Sequence, residues 1–387
     1  MGDAYLPLRG LRVLDLSRLI VGAMATRHLA DMGAEVVKVE APGTGDYLRS
    51  VAPFLDGEGV WHHLLNRNKE SIALDLGDPA DREVVRRLAG VADVVVDVSR
   101  PGSLARLGLD PVELRRDHPA LVVCSITGFG QEGPWAFIPA HGLNMDSLAG
   151  AVATVDDEDG IPRFVQLVYS GLSQESPALQ AALAIVSAVH GARAHGEGAW
   201  IDVSCWDAVV EMNRTAIAYR AATGRDPRVA ERHMWGAKHR IYRAADGQPV
   251  FLAVIERKFW EQFCAVVGRA DLRAAWSSDG ELDYGGGPEL EAALEEVFAG
   301  RPAAEWGELF TAHGLPGSPL LGLDEVMASE QFAVRGLLEE TGGPVPNVAS
   351  PIRWLDHGGT RPGSRPAPAP AVGADGADVL ATWLADG

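Results

Sequence analysis

The chain has 387 residues, of which 47% are hydrophobic and 22% charged, as in an ordinary globular protein long enough for two domains. Its formal net charge of -19 at pH 7 argues against a nucleic-acid partner, because phosphate binding needs a basic field. No run approaches the roughly 20 apolar residues of a membrane span, and the N-terminus lacks the regions of a signal peptide. We therefore expect a cytoplasmic protein.

The N-terminal half alternates strand-like and helix-like segments. Short apolar runs typical of buried strands are RVLDLS, AEVVKVEAP, SIALDL, ADVVVDVS and ALVVCSITGFG. Between them, AMATRHLADMG and DPADREVVRRLAGV carry their apolar residues at helical spacing, and the second begins with an aspartate cap. Such an alternation predicts a parallel sheet buried on both faces, in a Rossmann-like α/β domain. Ligands bind these sheets beyond the carboxyl ends of the strands.

The C-terminal half begins with a long alanine-rich helix, PALQAALAIVSAVHGARAHG, which should end at Gly196. The strand AWIDVS and a further helix to about Ala222 follow. A hairpin that turns at Asp246 and Gly247, and then three short helices, predict a smaller α+β region. The Pro- and Gly-rich stretch TRPGSRPAPAPAVGADG predicts an extended crossing before a terminal helix.

These patterns divide the chain into three parts. The first is a large Rossmann-like region over residues 1–222, and the second is the small α+β domain over 223–325. The third, over 326–387, is a return crossing followed by the C-terminal part of the large domain. No internal repeat is evident in the sequence.

The signatures of common Rossmann-fold activities are missing from the sequence. No GxGxxG follows the first strand, which weakens a dinucleotide-binding interpretation, and neither GxxxxGK[ST] nor GxSxG occurs. The three cysteines, Cys124, Cys205 and Cys264, show no CxxC spacing, so we expect neither a disulfide framework nor a metal site. The function therefore has to be carried by other residues.

Six blocks occur in a fixed order along the chain: LRGLRVLDLSRLIVGAMATRHLADMGAEVVKVEAPGTGD, LNRNKESIALDL, GFGQEGP, GEGAWIDVSCWDAV, IYRAADGQPVFLAV and LPGSPLLGLDEV. On these blocks the chain resembles the family III CoA-transferases, the group that contains formyl-CoA and carnitine CoA-transferases and the α-methylacyl-CoA racemases. The resemblance implies a large domain built from both chain ends, an inserted smaller domain and an acyl-CoA substrate. It also implies a homodimer whose protomers interlock as linked rings.

Several arginines are candidates for contacts with the CoA phosphates. Arg100 and Arg106 follow a predicted strand end, where guanidinium groups suit bidentate phosphate binding, and Arg49 and Lys69 are further candidates. Each of them is equally well explained as a solvated surface charge. From the resemblance, the adenine and pantetheine track would be lined by Leu19, Ile20, Leu74, Ser99 and Gly102.

The chain departs from the family at one of these places. Where many relatives have ERP after the second strand, with an arginine near the phosphates, this chain has EAP at Glu40, Ala41 and Pro42. The binding of CoA is therefore expected to differ in affinity or pose.

A second departure concerns the nucleophile. The resemblance implies one aspartate that forms anhydride and thioester intermediates, because a mixed anhydride keeps the activation of the attacked thioester. Counted back from GEGAWIDVS, the aspartate position falls on Gln174, and an amide cannot act in this way. Glu175 is the nearest carboxylate, but one helical step turns a side chain by about 100°. With Ser173 as N-cap, a negative charge at Glu175 is also explained by the helix dipole alone.

The racemase branch of the family offers another set of residues. Inversion at the α-carbon needs two proton-handling groups on opposite sides of that carbon. From the resemblance, His141 in AHGLNMDSLAG and Glu256 in AVIERKFW match the racemase histidine and glutamate, while the aspartate is again missing. His141 could equally be a structural histidine and Glu256 a surface charge.

Three functions remain open. The first is a family III CoA-transferase that moves CoA between carboxylic acids, with Glu175 or a nearby group as nucleophile. In a variant of this hypothesis the chain is one subunit of a heteromer whose partner supplies the aspartate. The second is an α-methylacyl-CoA racemase or epimerase that uses His141 with Glu175 or Glu256, and the third is a non-catalytic acyl-CoA-binding homologue. The acyl group is not predicted beyond a partly aromatic pocket wall at Met234, Trp235 and His239.

Overall fold

The structure is a computed structural model that describes residues 5–165, 169–227, 236–363 and 366–385. Two compact units make up the chain. The larger one comprises Met1–Asn213 and Arg335–Gly387, and the smaller one comprises Arg214–Val334. Met234 and Trp235, two of the three residues predicted for the acyl pocket wall, lie outside the described residues.

The elements are numbered in chain order over the described residues. The strands are β1 (Arg12–Asp15), β2 (Glu35–Glu40), β3 (Phe54–Leu55), β4 (Glu58–Gly59), β5 (Glu70–Ala73), β6 (Val94–Asp97), β7 (Val122–Thr127), β8 (Thr154–Asp156), β9 (Pro162–Phe164), β10 (Trp200–Ser204), β11 (His239–Arg243), β12 (Pro249–Ala253), β13 (Gly317–Pro319), β14 (Leu338–Glu339) and β15 (Asn347–Val348). The α-helices are α1 (Leu19–Asp31), α2 (Val60–Leu65), α3 (Pro79–Val91), α4 (Ser103–Arg106), α5 (Pro111–Asp117), α6 (Leu143–Leu148), α7 (Leu172–His195), α8 (Cys205–Met212), α9 (Arg214–Thr223), α10 (Arg257–Val266), α11 (Pro288–Phe298), α12 (Ala303–His313), α13 (Leu323–Ala328), α14 (Glu330–Arg335) and α15 (Gly376–Trp383). Short 3₁₀ turns lie at Tyr47–Ser50, Ala270–Ala275 and Leu355–His357.

The larger unit is built on a parallel sheet of six strands in the order β10-β7-β6-β1-β2-β5. The chain runs outward from β1 through β2 to β5, then returns to the other side of β1 and runs through β6 and β7 to β10. This is the doubly wound arrangement, and its direction reverses between β1 and β6. The predicted Rossmann-like α/β fold is thereby confirmed.

Alternate residues of the central strands pack on opposite faces of this sheet, as the two-residue period of a strand requires. Val94 and Val96 join a core with α1 and α7, whereas Val95 joins a core with α3, α5 and α15. The α7 side of the first core consists of small residues at helical spacing, among them Ala178 and Ala181. Both faces of the sheet are therefore covered by helices.

Most predicted helix ends agree with the structure. Asp78 caps α3 by accepting a hydrogen bond from the backbone N–H of Ala80, and α7 ends at Gly196 with a φ of 75°. Two details were wrong. The helix after β10 is broken at Asn213 into α8 and α9. The N-cap of α7 is Gly171 rather than Ser173, because the Gln174 side chain accepts the Gly171 N–H and Ser173 lies inside the first turn.

The smaller unit contains an antiparallel sheet in the order β11-β12-β13, packed against helices. Ala244 donates its backbone N–H to Gln248 across the turn between β11 and β12, where Gly247 has a φ of 78°. The predicted hairpin is therefore confirmed. The core of this unit is aromatic, with large side chains at Tyr242, Trp260, Phe263, Phe298, Trp306 and Phe310.

The C-terminal segment returns to the open edge of the parallel sheet. Asn68 and Ala367 exchange two hydrogen bonds, and Ser71 of β5 exchanges two with Asp375. Gly373 also donates its N–H to the Ser71 hydroxyl at 2.9 Å. The segment thus covers an edge strand that would otherwise expose unpaired backbone groups. None of the described helices is long and apolar enough to span a membrane.

Candidate active site

A cavity of about 520 Å³ opens beyond the carboxyl ends of β1, β6 and β7, where the sheet reverses direction. We call it the switch-point cavity. Most of its wall is apolar, and the polar side chains on it are Arg18, Thr127, His141, Gln174 and Cys205. Among the described lining residues, none carries a carboxylate. A mostly apolar pocket with a few convergent polar groups is the usual form of a small-molecule site.

The start of α1 forms one wall of this cavity with an unusual backbone. Leu19 has a φ of 62°, a left-handed conformation that costs a non-glycine residue roughly 1–3 kcal/mol. Its N–H donates to the Asp46 carboxylate at 3.1 Å, which holds the turn in place. Gly22 is required one turn later, because a Cβ there would lie 2.2 Å from the Ser17 Cβ and 2.7 Å from Val98. Together these residues bring α1 close to the end of β6.

Four charged side chains below the cavity neutralise one another. This buried charge cluster consists of Asp15, Lys38, Asp46 and Lys69, each no more than 5% exposed. The Lys38 ammonium lies 2.8 Å from Asp46 and 3.9 Å from Asp15, and Lys69 lies 3.2 Å from Asp15. Burial opposes ionisation of Asp15, but the two ammonium groups and the hydrogen bonds from Ser17 and Thr26 outweigh it and hold its pKa at about 2.

Lys69 is therefore not turned toward the cavity. Its ammonium also donates to Thr26, Asn66 and the Ala23 carbonyl, and burial lowers its pKa to about 8 despite the pull of Asp15. The side chain links β5 to β1 and α1. A phosphate contact by Lys69, considered from the sequence, does not fit this enclosed position.

Arg49 is likewise engaged with protein groups. Its guanidinium makes a bidentate pair with Glu40 at 2.9 and 2.8 Å, lies 2.6 Å from Glu58 and donates to the Pro370 carbonyl. Burial opposes ionisation of Glu40, yet hydrogen bonds from Arg49, Ser71 and the backbone hold its pKa at about 2. In this chain, the arginine that pairs with Glu40 of the EAP segment is therefore Arg49, which lies in the 3₁₀ turn.

The other predicted CoA contacts fall into separate places. Ser99, Arg100 and Gly102 line a second, smaller cavity of about 80 Å³ at the ends of β6 and β7. Arg106 lies one turn further along, exposed, with its guanidinium on the Ser103 hydroxyl at 2.8 Å. Leu19 and Ile20 line the switch-point cavity, whereas Leu74 is 8% exposed and packs in the hydrophobic core at the end of β5.

Gln174 and Glu175 point in different directions from the first turn of α7. Gln174 lines the switch-point cavity, and its Oε1 accepts the Gly171 N–H at 2.9 Å. The Glu175 carboxylate instead accepts a hydrogen bond from the Ser170 hydroxyl and lies within electrostatic reach of Arg27 in α1. Glu175 is not among the residues that line the cavity. The turn of about 100° per residue expected for a helix explains this divergence.

His141 shares the cavity with Gln174, whereas Glu256 lies in the smaller unit. His141 is exposed, and its backbone N–H donates to Asn144 at 3.0 Å. Glu256 precedes α10 and pairs with Lys258 at 2.8 Å in an exposed position. Such an exposed pair contributes little to stability. His239, the described part of the predicted acyl wall, packs edge-on against Phe251 and Tyr284 in the smaller unit.

Two residues at the site were missed from the sequence. Arg18 lies between the end of β1 and the start of α1 and lines the cavity, and its position after a strand end was the signal that could have identified it. Asp146 of α6 is 3% exposed and accepts the Ser173 N–H at 2.8 Å, so it caps α7 from a distant part of the chain. No local pattern indicates that contact.

Among the described residues, no cluster of His, Cys, Asp and Glu could hold a metal ion.

The sequence profile of CoA-transferase family III matches residues 8–376. The chain belongs to this family. This family III CoA-transferase is 32% identical over 361 residues to acetyl-CoA:oxalate CoA-transferase of Acetobacter aceti, with 92% of each chain covered. It is 33% identical over 398 residues to succinate–glutarate CoA-transferase of Agrobacterium fabrum, which covers 97% of this chain and 95% of the relative.

A solved structure agrees with the family assignment. The Mycobacterium tuberculosis protein Rv3272 matches this family III CoA-transferase with a TM-score of 0.84 and 27% identity. The match covers 98% of this chain and 100% of the other. The resemblance identified from six sequence blocks is therefore confirmed over nearly the whole chain, and acyl-CoA is the substrate class of the enzyme.

Proposed function

We propose that this family III CoA-transferase moves CoA from an acyl-CoA to a short dicarboxylic acid in the switch-point cavity. The observation that carries the proposal is the cavity itself, which combines an apolar wall with Arg18, His141 and Gln174 at the sheet reversal. Relatives that act on oxalate and on succinate and glutarate support a dicarboxylic acceptor.

CoA would lie along the carboxyl edge of the sheet. We propose that its phosphates reach the exposed guanidinium groups of Arg100 and Arg106, near the smaller cavity lined by Ser99 and Gly102. The pantetheine arm would then cross Leu19 and Ile20 to bring the thioester carbonyl into the switch-point cavity. Arg49 contributes indirectly, because its pairing with Glu40 and Glu58 holds the turn behind the site.

Arg18 gives the cavity a fixed positive charge for the acceptor. A dicarboxylic acid has one carboxylate to react and a second to anchor, and a guanidinium binds a carboxylate in a bidentate pair. A monocarboxylic acid would lack that anchor. The proposal therefore predicts a preference for dicarboxylic over monocarboxylic acceptors of equal length.

The test is a CoA-exchange assay with purified chain, labelled acetyl-CoA or succinyl-CoA, and oxalate, glutarate and mesaconate as acceptors. Butyrate and pentanoate serve as monocarboxylic controls. Formation of labelled acid and of the new thioester with dicarboxylic acids supports the proposal. Exchange that is equal for mono- and dicarboxylic acids would reject the Arg18 anchor, and no exchange with any acid would reject the transferase function of the isolated chain.

Covalent catalysis by Glu175, predicted from the sequence, is one alternative route within this function. To act, its carboxylate must leave Ser170 and enter the cavity, or the aspartate must come from a second chain. Hydroxylamine trapping of an enzyme-bound CoA thioester tests the first route, because Glu175→Gln would remove the trapped product while leaving the protein folded. Exchange that begins only after an aspartate-bearing paralogue is added would support the heteromer.

The presence of His141 in the cavity is the observation that favours a racemase as a second candidate. Proton removal from the α-carbon would need an opposing group, which the described lining does not provide as a carboxylate. Incorporation of deuterium at the α-carbon in heavy water, without CoA exchange, would support the racemase. If acyl-CoA binds but neither reaction occurs, the chain is an acyl-CoA-binding homologue.

We also propose a homodimer with interlocked protomers. Its support in this chain is a row of exposed apolar side chains on the longest helix, with Leu179 54% and Leu183 70% exposed. Helical residues four apart share one face, so this row suits contact with a second copy. Light scattering of the purified chain tests the assembly, and a monomeric mass at micromolar concentration would reject it.

A further inference from the structure

We propose that CoA passes directly between the two bound substrates, so that no carboxylate of the enzyme takes part in covalent catalysis. In this mechanism the acceptor acid itself is the nucleophile, and Gln174 stabilises the reaction as a hydrogen-bond donor. The inference rests on the proposed CoA-transferase function and specifies how that function is carried out at the same site.

The described lining of the switch-point cavity lacks an enzymic nucleophile of the required kind. Arg18, His141 and Gln174 are its principal polar groups, and a carboxylate is absent from its lining in the described part of the chain. The nearest carboxylates on α6 and α7, Asp146 and Glu175, both accept hydrogen bonds from other protein groups. Asp146 caps the Ser173 N–H, and Glu175 accepts from Ser170 on the other side of the helix turn. A substrate carboxylate is thus the nucleophile that the cavity can hold beside a thioester.

The Gln174 amide is oriented by a backbone contact. Its Oε1 accepts the Gly171 N–H, which is a donor only, so the amide must present its oxygen to the backbone. The amide nitrogen Nε2 is consequently free of that backbone contact, and the amide lies beside Gly142, which also lines the cavity. The residue at the expected nucleophile position therefore offers the cavity two N–H donors.

The electrostatics of the cavity favour stabilisation of a negative charge on the thioester oxygen. Attack on the thioester carbonyl develops negative charge on its oxygen, and fixed donors in an apolar site stabilise that charge strongly. Gln174 lies in the first turn of a helix of 24 residues, whose N-terminal dipole adds favourable positive potential. Arg18 holds the second carboxylate of the acceptor and balances its charge. The site is thus better suited to stabilise the negative charge on the thioester oxygen than to supply a carboxylate nucleophile.

The reaction balances without an enzymic intermediate. The acceptor carboxylate R′COO⁻ attacks RCO–SCoA, forms a C–O bond and expels CoAS⁻, which leaves the mixed anhydride RCO–O–COR′. The thiolate then attacks the R′ carbonyl, forms R′CO–SCoA and expels RCOO⁻. No proton is gained or lost, and no oxidant or further reactant is required. His141 accordingly has no obligatory proton-transfer role in this route.

The fate of acceptor oxygen distinguishes this route from a covalent one. An acceptor labelled with oxygen-18 in all its carboxylate oxygens is mixed with acyl-CoA and an excess of the full-length protein for a single turnover. In direct transfer, the bridging oxygen remains with RCOO⁻, so the released acid carries one labelled oxygen. In transfer through an enzymic carboxylate, the acid released in that turnover is unlabelled and the label enters the protein.

Substitution at Gln174 provides a second, independent test. Gln174→Asp places a carboxylate at the cavity and should create a CoA thioester on the protein that hydroxylamine cleaves. Gln174→Ala should lower kcat about 10²-fold while the labelled oxygen still appears in the released acid. The matched control is Gln180→Asp on the same helix, whose amide contacts Ser176 away from the cavity and should create no trapped thioester.

Each outcome has one meaning. Label in the released acid, together with a trapped thioester only in Gln174→Asp, supports direct transfer. Label in the protein, or trapping in the unmodified enzyme, overturns direct transfer but leaves the CoA-transferase function intact. Failure of Gln174→Asp to trap CoA overturns the assignment of residue 174 to the reacting carbonyl. Absence of all CoA exchange by the unmodified chain overturns the proposed function and this mechanism together.

Discussion

The buried charge cluster and the switch-point cavity lie at the same edge of one sheet, yet they use polar side chains in opposite ways. In the cluster, Asp15 and Asp46 are matched by Lys38 and Lys69, and all four are enclosed. Around the cavity, Gln174 lines the wall and engages its amide oxygen with the Gly171 N–H, which leaves the amide nitrogen for a substrate. Removing one partner from mutually satisfied buried charges leaves an uncompensated charge, whereas donors without a full set of protein partners are available to a substrate.

The largest expected effect is on stability, from removal of a cation in the cluster. Lys38→Met leaves Asp15 and Asp46 with one ammonium between them, and breaking a buried pair costs about 3–5 kcal/mol. Urea unfolding measures the loss. Arg116→Met is the control, because the Arg116–Asp117 pair is exposed and should contribute less than about 1 kcal/mol. An equal loss of stability in both variants would contradict the distinction between buried and exposed charge pairs.

At Gln174 we expect a large effect on catalysis and a small effect on stability. Gln174→Ala should lower kcat about 10²-fold, because it removes an oxyanion donor, while the free energy of unfolding changes by only about 1 kcal/mol. Steady-state kinetics and urea unfolding measure the two quantities. Gln180→Ala, on the same helix, should leave kcat unchanged. A large loss of stability in Gln174→Ala would place this residue with the structural cluster instead.

The third prediction concerns acid stability. The pKa of Asp15 is held at about 2, below its ordinary value of 3.8, so its contribution is complete above pH 3.8 and is lost as the pH falls toward 2. The contribution is about 2 kcal/mol by linkage. The free energy of unfolding, measured between pH 5 and pH 2, should therefore fall more steeply below pH 3.8 in the unmodified protein. Asp15→Asn should flatten that limb, and an unchanged slope would refute the role of Asp15.

The smallest expected effect is on acceptor affinity. Arg18→Ala should raise KM for a dicarboxylic acceptor about tenfold, since one charge-assisted contact contributes roughly 1.5–3 kcal/mol at most. Arg18→Lys should recover part of the affinity, because a lysine keeps the charge but loses bidentate geometry. KM for a monocarboxylic acceptor should remain unchanged in both variants. A parallel rise for both acceptor classes would show that Arg18 binds CoA or shapes the cavity.

Much of the fold followed from local sequence. The apolar runs of β1, β2, β6 and β7, the aspartate cap of α3 and the glycine end of α7 depend on neighbouring residues, and all of them agree with the structure. The family followed from six ordered blocks, because a long match tolerates local variation. Leu19 and Ile20, predicted for the CoA track, and His141, predicted as a racemase histidine, were assigned separately, and the structure brings them to one cavity.

The error at Ser173 shows where local reasoning fails. Its sequence fits an N-cap, but the carboxylate that accepts its N–H is Asp146, which lies 27 residues earlier in the chain. The engagement of Arg49 with Glu58 and Pro370 is similarly non-local. A side chain's availability depends on partners that folding brings to it, and these partners have no fixed sequence spacing.

The sequence by itself determined the six strands of the parallel sheet, the family and the presence of an amide at the expected nucleophile position. These follow from hydrophobic periodicity, turn chemistry and residue identity, which are properties of short segments. Only the tertiary structure decided that Gln174 faces the cavity while Glu175 turns toward Ser170, and that Lys69 is enclosed. The physical reason is that direction, burial and pairing of a side chain arise when distant segments pack around it.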